Sequence, residues 1–125
     1  MTIGNSVTSI GEEMFKYCHS LTGMTIPDSV SSIGDYVFVD CTSLSSVTIG
    51  NSVSSIGEYV FDGCSSLTSV TIPDSVSSIG DSAFVGCTNL GSLIFKGKTT
   101  AEVKSTFTNY ASWGVTESSI QGELG

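Results

Sequence analysis

Ile3, Ile26, Ile49 and Ile72 stand 23 residues apart, and so do Cys18, Cys41, Cys64 and Cys87. The same interval relates Val7, Val30, Val53 and Val76, then Phe15, Phe38, Phe61 and Phe84, and Leu21, Leu44, Leu67 and Leu90. Self-similarity at so short a period restricts a chain to a stack of like units: one unit cannot bury its own apolar face, and about three must pack together before a continuous core exists. Four units are present, and the period breaks after Phe95. One domain is expected, with repeats over residues 1–95 and a capping segment over residues 96–125.

Leu67 to Asn89 is the clearest copy of the unit. Val70-Thr71-Ile72 alternates in, out, in, as a short strand does, and Pro73-Asp74 or Gly50-Asn51 ends it with turn chemistry. Val76 and Ile79 point inward next, through a bend. The acid at Glu12, Asp35, Glu58 or Asp81 stands where a cap would meet free backbone N–H groups, ahead of a single helical or 3₁₀ turn that carries Phe84 and Cys87 inward. Each coil is read as one strand, one bend and one short helical turn.

The phrases LTSVTIPDSVSSIGDSAFVGCTNL and LSSVTIGNSVSSIGEYVFDGC closely resemble the BspA-like class of bacterial-surface leucine-rich repeats. The resemblance runs from Met1 to about Phe95; Val37, Val60 and Met14 depart from it where Ala83 fits the class's usual alanine. It implies an α/β repeat solenoid, a right-handed coil with one parallel sheet on the concave face, short helical or 3₁₀ turns on the convex side, and function by non-covalent binding. It also implies a surface or secreted adhesion or interaction module, although a fold alone does not fix a function.

With Val70 and Ile72 inward, the outward columns are Gly23, Ser46, Ser69 and Ser92, then Thr2, Thr25, Thr48 and Thr71, continued by Ile94. Strands about 4.8 Å apart make this a flat ladder of hydroxyls and methyls. One reading makes Thr2, Thr25, Ser46, Thr48, Ser69, Thr71, Ser92 and Ile94 a shallow partner-binding strip for a protein or glycan. The other is that Thr is a good strand former at exposed positions, and the strip lacks the Tyr, Trp and Arg that usually anchor interfaces. The loops at Tyr36, Tyr59 and Ser82 are the alternative surface. Ice binding through a regular threonine lattice is a third reading, against which the ladder is short.

The cysteines form one column, and a single tetrahedral zinc with four sulfurs about 2.3 Å from the metal cannot be built from a straight column. Side chains in a column point the same way, so disulfides are disfavoured and buried free thiols are expected. Asp28 and Asp74 alternate with Asn5 and Asn51; turn capping explains this column better than calcium, which takes six or more converging oxygens. No metal and no cofactor is expected.

Catalysis finds no support. His19 is the only histidine and no other unit has a counterpart for it, while the Ser and Thr side chains have no activating base in the repeat logic. Gly11, Gly34, Gly57 and Gly80 recur singly, as turn glycines, and cradle no phosphate. The net charge is −8, and from Gly23 to Phe95 seven acids face no Lys or Arg. Such a surface disfavours nucleic acid and anionic membranes.

In the final segment, Thr99-Thr100-Ala101-Glu102 has capping-box spacing ahead of Val103 and Phe107, so a short helix is expected. Tyr110, Trp113, Val115 and Ile120 are expected to close the last coil; an aromatic pocket around Trp113 is the competing reading. Near Met1 there is no signal-peptide pattern or transmembrane stretch, and no cap comparable to the C-terminal one. The chain is therefore expected to belong to a longer parent or to dock, or self-associate end to end, through its first unit. The expected role is a non-enzymatic binding or adhesion module, at the cell surface, secreted or virion-associated. The alternative is a structural spacer or assembly subunit that contacts neighbours through the solenoid ends, as in a virion or surface layer.

Overall fold

The computed structural model describes residues 3–125. Thr2, an expected strip residue, lies outside them. Each repeat contributes a four-residue strand with alternating burial: β2 (Gly23–Ile26), β4 (Ser46–Ile49), β6 (Ser69–Ile72) and β8 (Ser92–Phe95). A second strand follows each bend: β1 (Ser9–Ile10), β3 (Ser32–Ile33), β5 (Ser55–Ile56) and β7 (Ser78–Ile79). This corrects the expectation of one strand per coil. The recurring Ser-Ile pair turns Ser outward and Ile inward and joins its copies in a parallel ladder ordered β1-β3-β5-β7. The expected single sheet is corrected as well, because the longer strands split into two ladders, β2-β4 and β6-β8-β9, the last strand being β9 (Ile120–Gly122).

The split has a reason in the sequence. Lys96 N–H donates to Ile72 O across the coils at 3.0 Å. One unit earlier the donor position is Pro73, which has no N–H to give Ile49 O. Ser45 and Gly91 N–H likewise reach Thr22 O and Thr68 O at 2.9 Å, whereas the corresponding bond from Thr68 to Ser45 is absent.

The outer arc carries the expected turn in its 3₁₀ form and adds bonds between coils. Within a coil, Cys41 N–H donates to Phe38 O at 3.2 Å in 3₁₀ fashion. Between coils, Tyr36, Phe38 and Asp40 N–H donate to Glu58, Val60 and Asp62 O at 2.9, 2.8 and 2.7 Å. Aiming these groups along the stack forces left-handed backbone at Glu13, Tyr36, Tyr59 and Ser82 (φ 61°, 62°, 56° and 59°), a conformation costing a non-glycine residue roughly 1–2 kcal/mol. The acids also cap across coils: Asp35 Oδ1 accepts from Glu58 N–H, and Asp28 Oδ1 from Asn51 N–H, both at 2.8 Å. At Gly34, Gly57 and Gly80, the glycine after the inward Ile is needed for close approach to the preceding coil. A Cβ on Gly80 would lie 2.4 Å from Glu58 N.

The core is a set of columns. Phe15, Phe38, Phe61 and Phe84 stack with centroids 5.6, 5.5 and 5.4 Å apart, and Trp113 meets Phe84 edge-on at 6.3 Å. The cysteines are free thiols. Cys41, Cys64 and Cys87 donate to Phe15, Phe38 and Phe61 O at 3.2, 3.1 and 3.0 Å, so each thiol ties its coil to the one before. Burial raises Cys41 from an ordinary 9.0 to about 11 and Cys87 to about 12, and raises Cys64 as well.

Beyond β8 the capping box forms: Thr99 Oγ1 accepts from Glu102 N–H and Glu102 Oε1 from Thr99 N–H, opening α1 (Thr100–Thr106). Val103, Phe107, Trp113 and Ile120 are buried against the last coil, with Tyr110 and Val115 half-buried beside them. Trp113 lies between Phe95, stacked at 5.8 Å, and Phe84, and its ring is fully buried. Packing of this kind supports the cap rather than a Trp113 ligand pocket. Ser82 and Phe84 N–H donate to Ser112 and Trp113 O, as Tyr59 and Phe61 donate to Asp81 and Ala83 O. The segment therefore continues the path of the arc as a degenerate coil before β9 pairs with β8.

Candidate functional site: the strand face

Side chains that alternate with the buried Met24, Ile26, Val47, Ile49, Val70 and Ile72 must point to solvent. Thr25, Ser46, Thr48, Ser69 and Thr71 are exposed, and Ser92 and Ile94 are half-buried. The structure brings these residues together in two groups. Gly23 and Thr25 pair with Ser46 and Thr48, while Ser69 and Thr71 pair with Ser92 and Ile94. No pairing joins Ser46 to Ser69 or Thr48 to Thr71, so the expected flat ladder is parted in the middle.

At the parting lies a depression of about 360 Å³ lined by Val47, Thr48, Ile49, Asn51, Thr71, Pro73 and Lys96. Val47 and Ile49 are 9% and 7% exposed at its floor, against 1% and 0% for Val70 and Ile72. Lys96 is its only charged lining residue. Asp28, on the preceding coil, is engaged by Asn51 N–H, and Asp74 by Lys98 Nζ at 2.9 Å. Asn51, Pro73 and Lys96 were not among the expected site residues. Their signal in the sequence is the column Gly4, Pro27, Gly50, Pro73, Lys96, in which a proline interrupts cross-coil donation.

Elsewhere the surface offers less chemistry. His19 is exposed, 6.4 Å from the ring of Tyr17. Among the described residues no group of three or more His, Cys, Asp or Glu could hold a metal ion. Tyr36 and Tyr59 stack at 5.3 Å on the arc.

Parallel strands stacked at one repeat spacing, tied by an arc of like turns, define a leucine-rich-repeat solenoid. The chain belongs to the BspA type leucine rich repeat family, whose model matches residues 1–113 in six copies. The fold is similar to a leucine rich cell surface protein from Faecalibacterium prausnitzii A2-165 (TM-score 0.78, 29% identity, covering 98% of this chain and 31% of that one). It is also similar to a leucine rich repeat protein of T. pallidum (TM-score 0.73, 25% identity, 75% of this chain and 46% of that one). A leucine-rich repeat protein from Bacteroides capillosus ATCC 29799 gives TM-score 0.60 at 34% identity, with 73% and 64% covered. This chain thus spans less than two thirds of each of these proteins. No curated protein matches it.

Proposed function

We propose that the protein is a non-enzymatic binding module that engages a protein or glycan partner through its strand face, centred on Thr48 and Thr71. The observation that carries this reading is the depression between β4 and β6, where an otherwise regular surface opens and gathers hydroxyl, amide and ammonium groups over an apolar floor. Thr48, Asn51, Thr71 and Lys96 set polar groups beside the apolar Val47, Ile49 and Pro73, and convergent polar groups of this kind fix the orientation of a bound ligand. A surface or secreted location accords with the cell surface protein of F. prausnitzii that shares the fold. A net charge of −8 disfavours nucleic acid as the partner. The test is a protein and glycan array probed with the native chain and with Thr25, Thr48 and Thr71 all changed to Glu. The triple variant is expected to keep its circular dichroism and lose its partner; unchanged binding would overturn the reading.

A second reading, assembly through the first coil, is favoured by one observation. Ile3, Val7, Phe15, Cys18 and Leu21 are only half-buried, and Met14 and Tyr17 are each 55% exposed. Light scattering over a concentration series tests it: end-to-end association predicts a mass that rises with concentration, and a constant monomer mass would end it.

A further inference from the structure

We infer that the depression between β4 and β6 takes one sugar unit bearing an isolated carboxylate, within a glycan laid along the strand face. This rests on the strand-face reading and narrows its ligand class. The size sets the first limit: about 360 Å³ is at the small end of ligand sites, which run from about 300 to 1,000 Å³. The lining sets the second. Thr48 and Thr71 offer hydroxyls that both donate and accept, and Asn51 offers an amide that does the same. Val47, Ile49 and Pro73 supply apolar contact. Alternating hydroxyl, amide and methyl groups match a ring that is polar at its rim and apolar on its C–H faces.

Charge sets the third limit. The regular repeats from Gly23 to Phe95 carry seven acids and no base, yet the one charge lining the depression is the Lys96 ammonium. A single carboxylate is complementary to it, whereas a densely anionic chain would be repelled by a protein of net charge −8. An extended peptide fits less well. Peptides held at sheets add along a free edge through backbone bonds, whereas the two edges at this parting, β4 and β6, face each other across the depression, with exposed Thr25, Ser46 and Ser69 extending the hydroxyl surface to either side.

The test uses the full chain on an array that holds matched glycans in carboxylated, carboxyl-reduced and polysulfated forms, together with acidic peptides. Lys96→Gln and Thr71→Ala are run beside the native protein, with thermal melts as folding controls. The native chain is expected to prefer the carboxylated form over the reduced one by about tenfold, the scale of one lost charge-assisted hydrogen bond. Lys96→Gln should erase that preference, bringing the carboxylated form down to the affinity of the reduced one. Thr71→Ala should weaken both forms. Equal binding of carboxylated and reduced glycans, or a preference that survives Lys96→Gln, would overturn the inference while leaving the strand-face reading intact if Thr71→Ala still weakens binding. Lys96-dependent capture of the acidic peptides alone would overturn the glycan class. Glycan binding indifferent to both variants would overturn the site and the strand-face reading together.

Discussion

The first and last coils are built from the same columns yet are covered differently among the described residues. At the C-terminal end Phe84 and Phe95 are covered by Trp113, Phe107 and Ile120, and β8 is paired by β9. At the other end, among the described residues, Phe15 has a ring partner on one side only, Phe38, and Ile3, Val7, Phe15, Cys18 and Leu21 are half-buried. Identical repeat chemistry thus gives unequal burial. In a quasi-one-dimensional stack each coil draws its stability from its neighbours, so a coil with one neighbour holds less than a coil with two.

Substitution in the phenylalanine column should read this difference with the largest effect. Phe61→Ala removes a fully buried ring with partners on both sides and is expected to cost about 3–5 kcal/mol, enough to unfold a small domain. Trp113→Ala should cost a similar amount, because its ring closes the column and contacts Phe84, Phe95 and Phe107. Phe15→Ala should cost only about 1–2 kcal/mol. Chemical denaturation of the three variants checks the order, and a Phe15 variant as damaged as the Phe61 one would remove the contrast between the ends.

The middle and the cap should also part in their response to pH. Cys41 and Cys87 titrate near 11 and 12 when folded because burial disfavours the thiolate. The folded state therefore holds its thiol protons more tightly than the unfolded chain, whose thiols titrate near 9.0. Their contribution is complete below that value and declines as pH rises from about 9 through 11 and 12. In the cap, Thr99 N–H holds Glu102 below the usual carboxylate range, and Asn109 and Ser112 do the same for Asp81. Those contributions are present above the unfolded carboxylate values and fall away as pH drops through the depressed folded ones. Melting temperatures should thus fall on both sides, with cap probes such as Trp113 fluorescence leading in acid and thiol alkylation of the core leading in base. Simultaneous change of both probes at both extremes would count against this division.

The smallest effect belongs to the capping box. Thr99→Ala should cost about 1 kcal/mol, visible as a modest fall in melting temperature with the arc intact. No fall at all would show that α1 is held by Val103 and Phe107 without its cap.

Much of the scaffold was legible because the period placed every inward residue at once: Ile10, Val30, Phe38, Cys41 and Leu44 are buried where their columns require. The capping box at Thr99 was legible for the same local reason, since its spacing is itself the geometry. The arc was less so. Its left-handed residues include Tyr17, Tyr36 and Asp40, which no propensity rule marks, because the conformation is set by bonds to another coil. The second strand was missed because two residues carry little pattern. The outward direction of the strip residues was legible, but the depression between them was not: it depends on Pro73 lacking one donor and on Lys96 arriving from beyond the last regular unit, and both are relations across coils.

Hydrogen exchange tests the central contrast within a single coil. On the strand and bend side, N–H groups point back along the stack: Ser31 to Thr8 O, Gly34 to Ile10 O and Ser45 to Thr22 O, at 2.8, 2.8 and 2.9 Å. On the arc they point forward: Glu13, Phe15 and Tyr17 to Asp35, Val37 and Val39 O, at 3.0, 3.0 and 2.8 Å. In the first coil the backward donors are Thr8, Gly11 and Thr22, with no coil behind them among the described residues, whereas its forward donors are engaged. Thr8, Gly11 and Thr22 amides should exchange fastest, Glu13, Phe15 and Tyr17 more slowly, and Ser54, Gly57 and Phe61 in the third coil slowest of all. Equal protection of Gly11 and Gly57 would contradict the account, since it would mean the first coil is covered as fully as the middle of the stack.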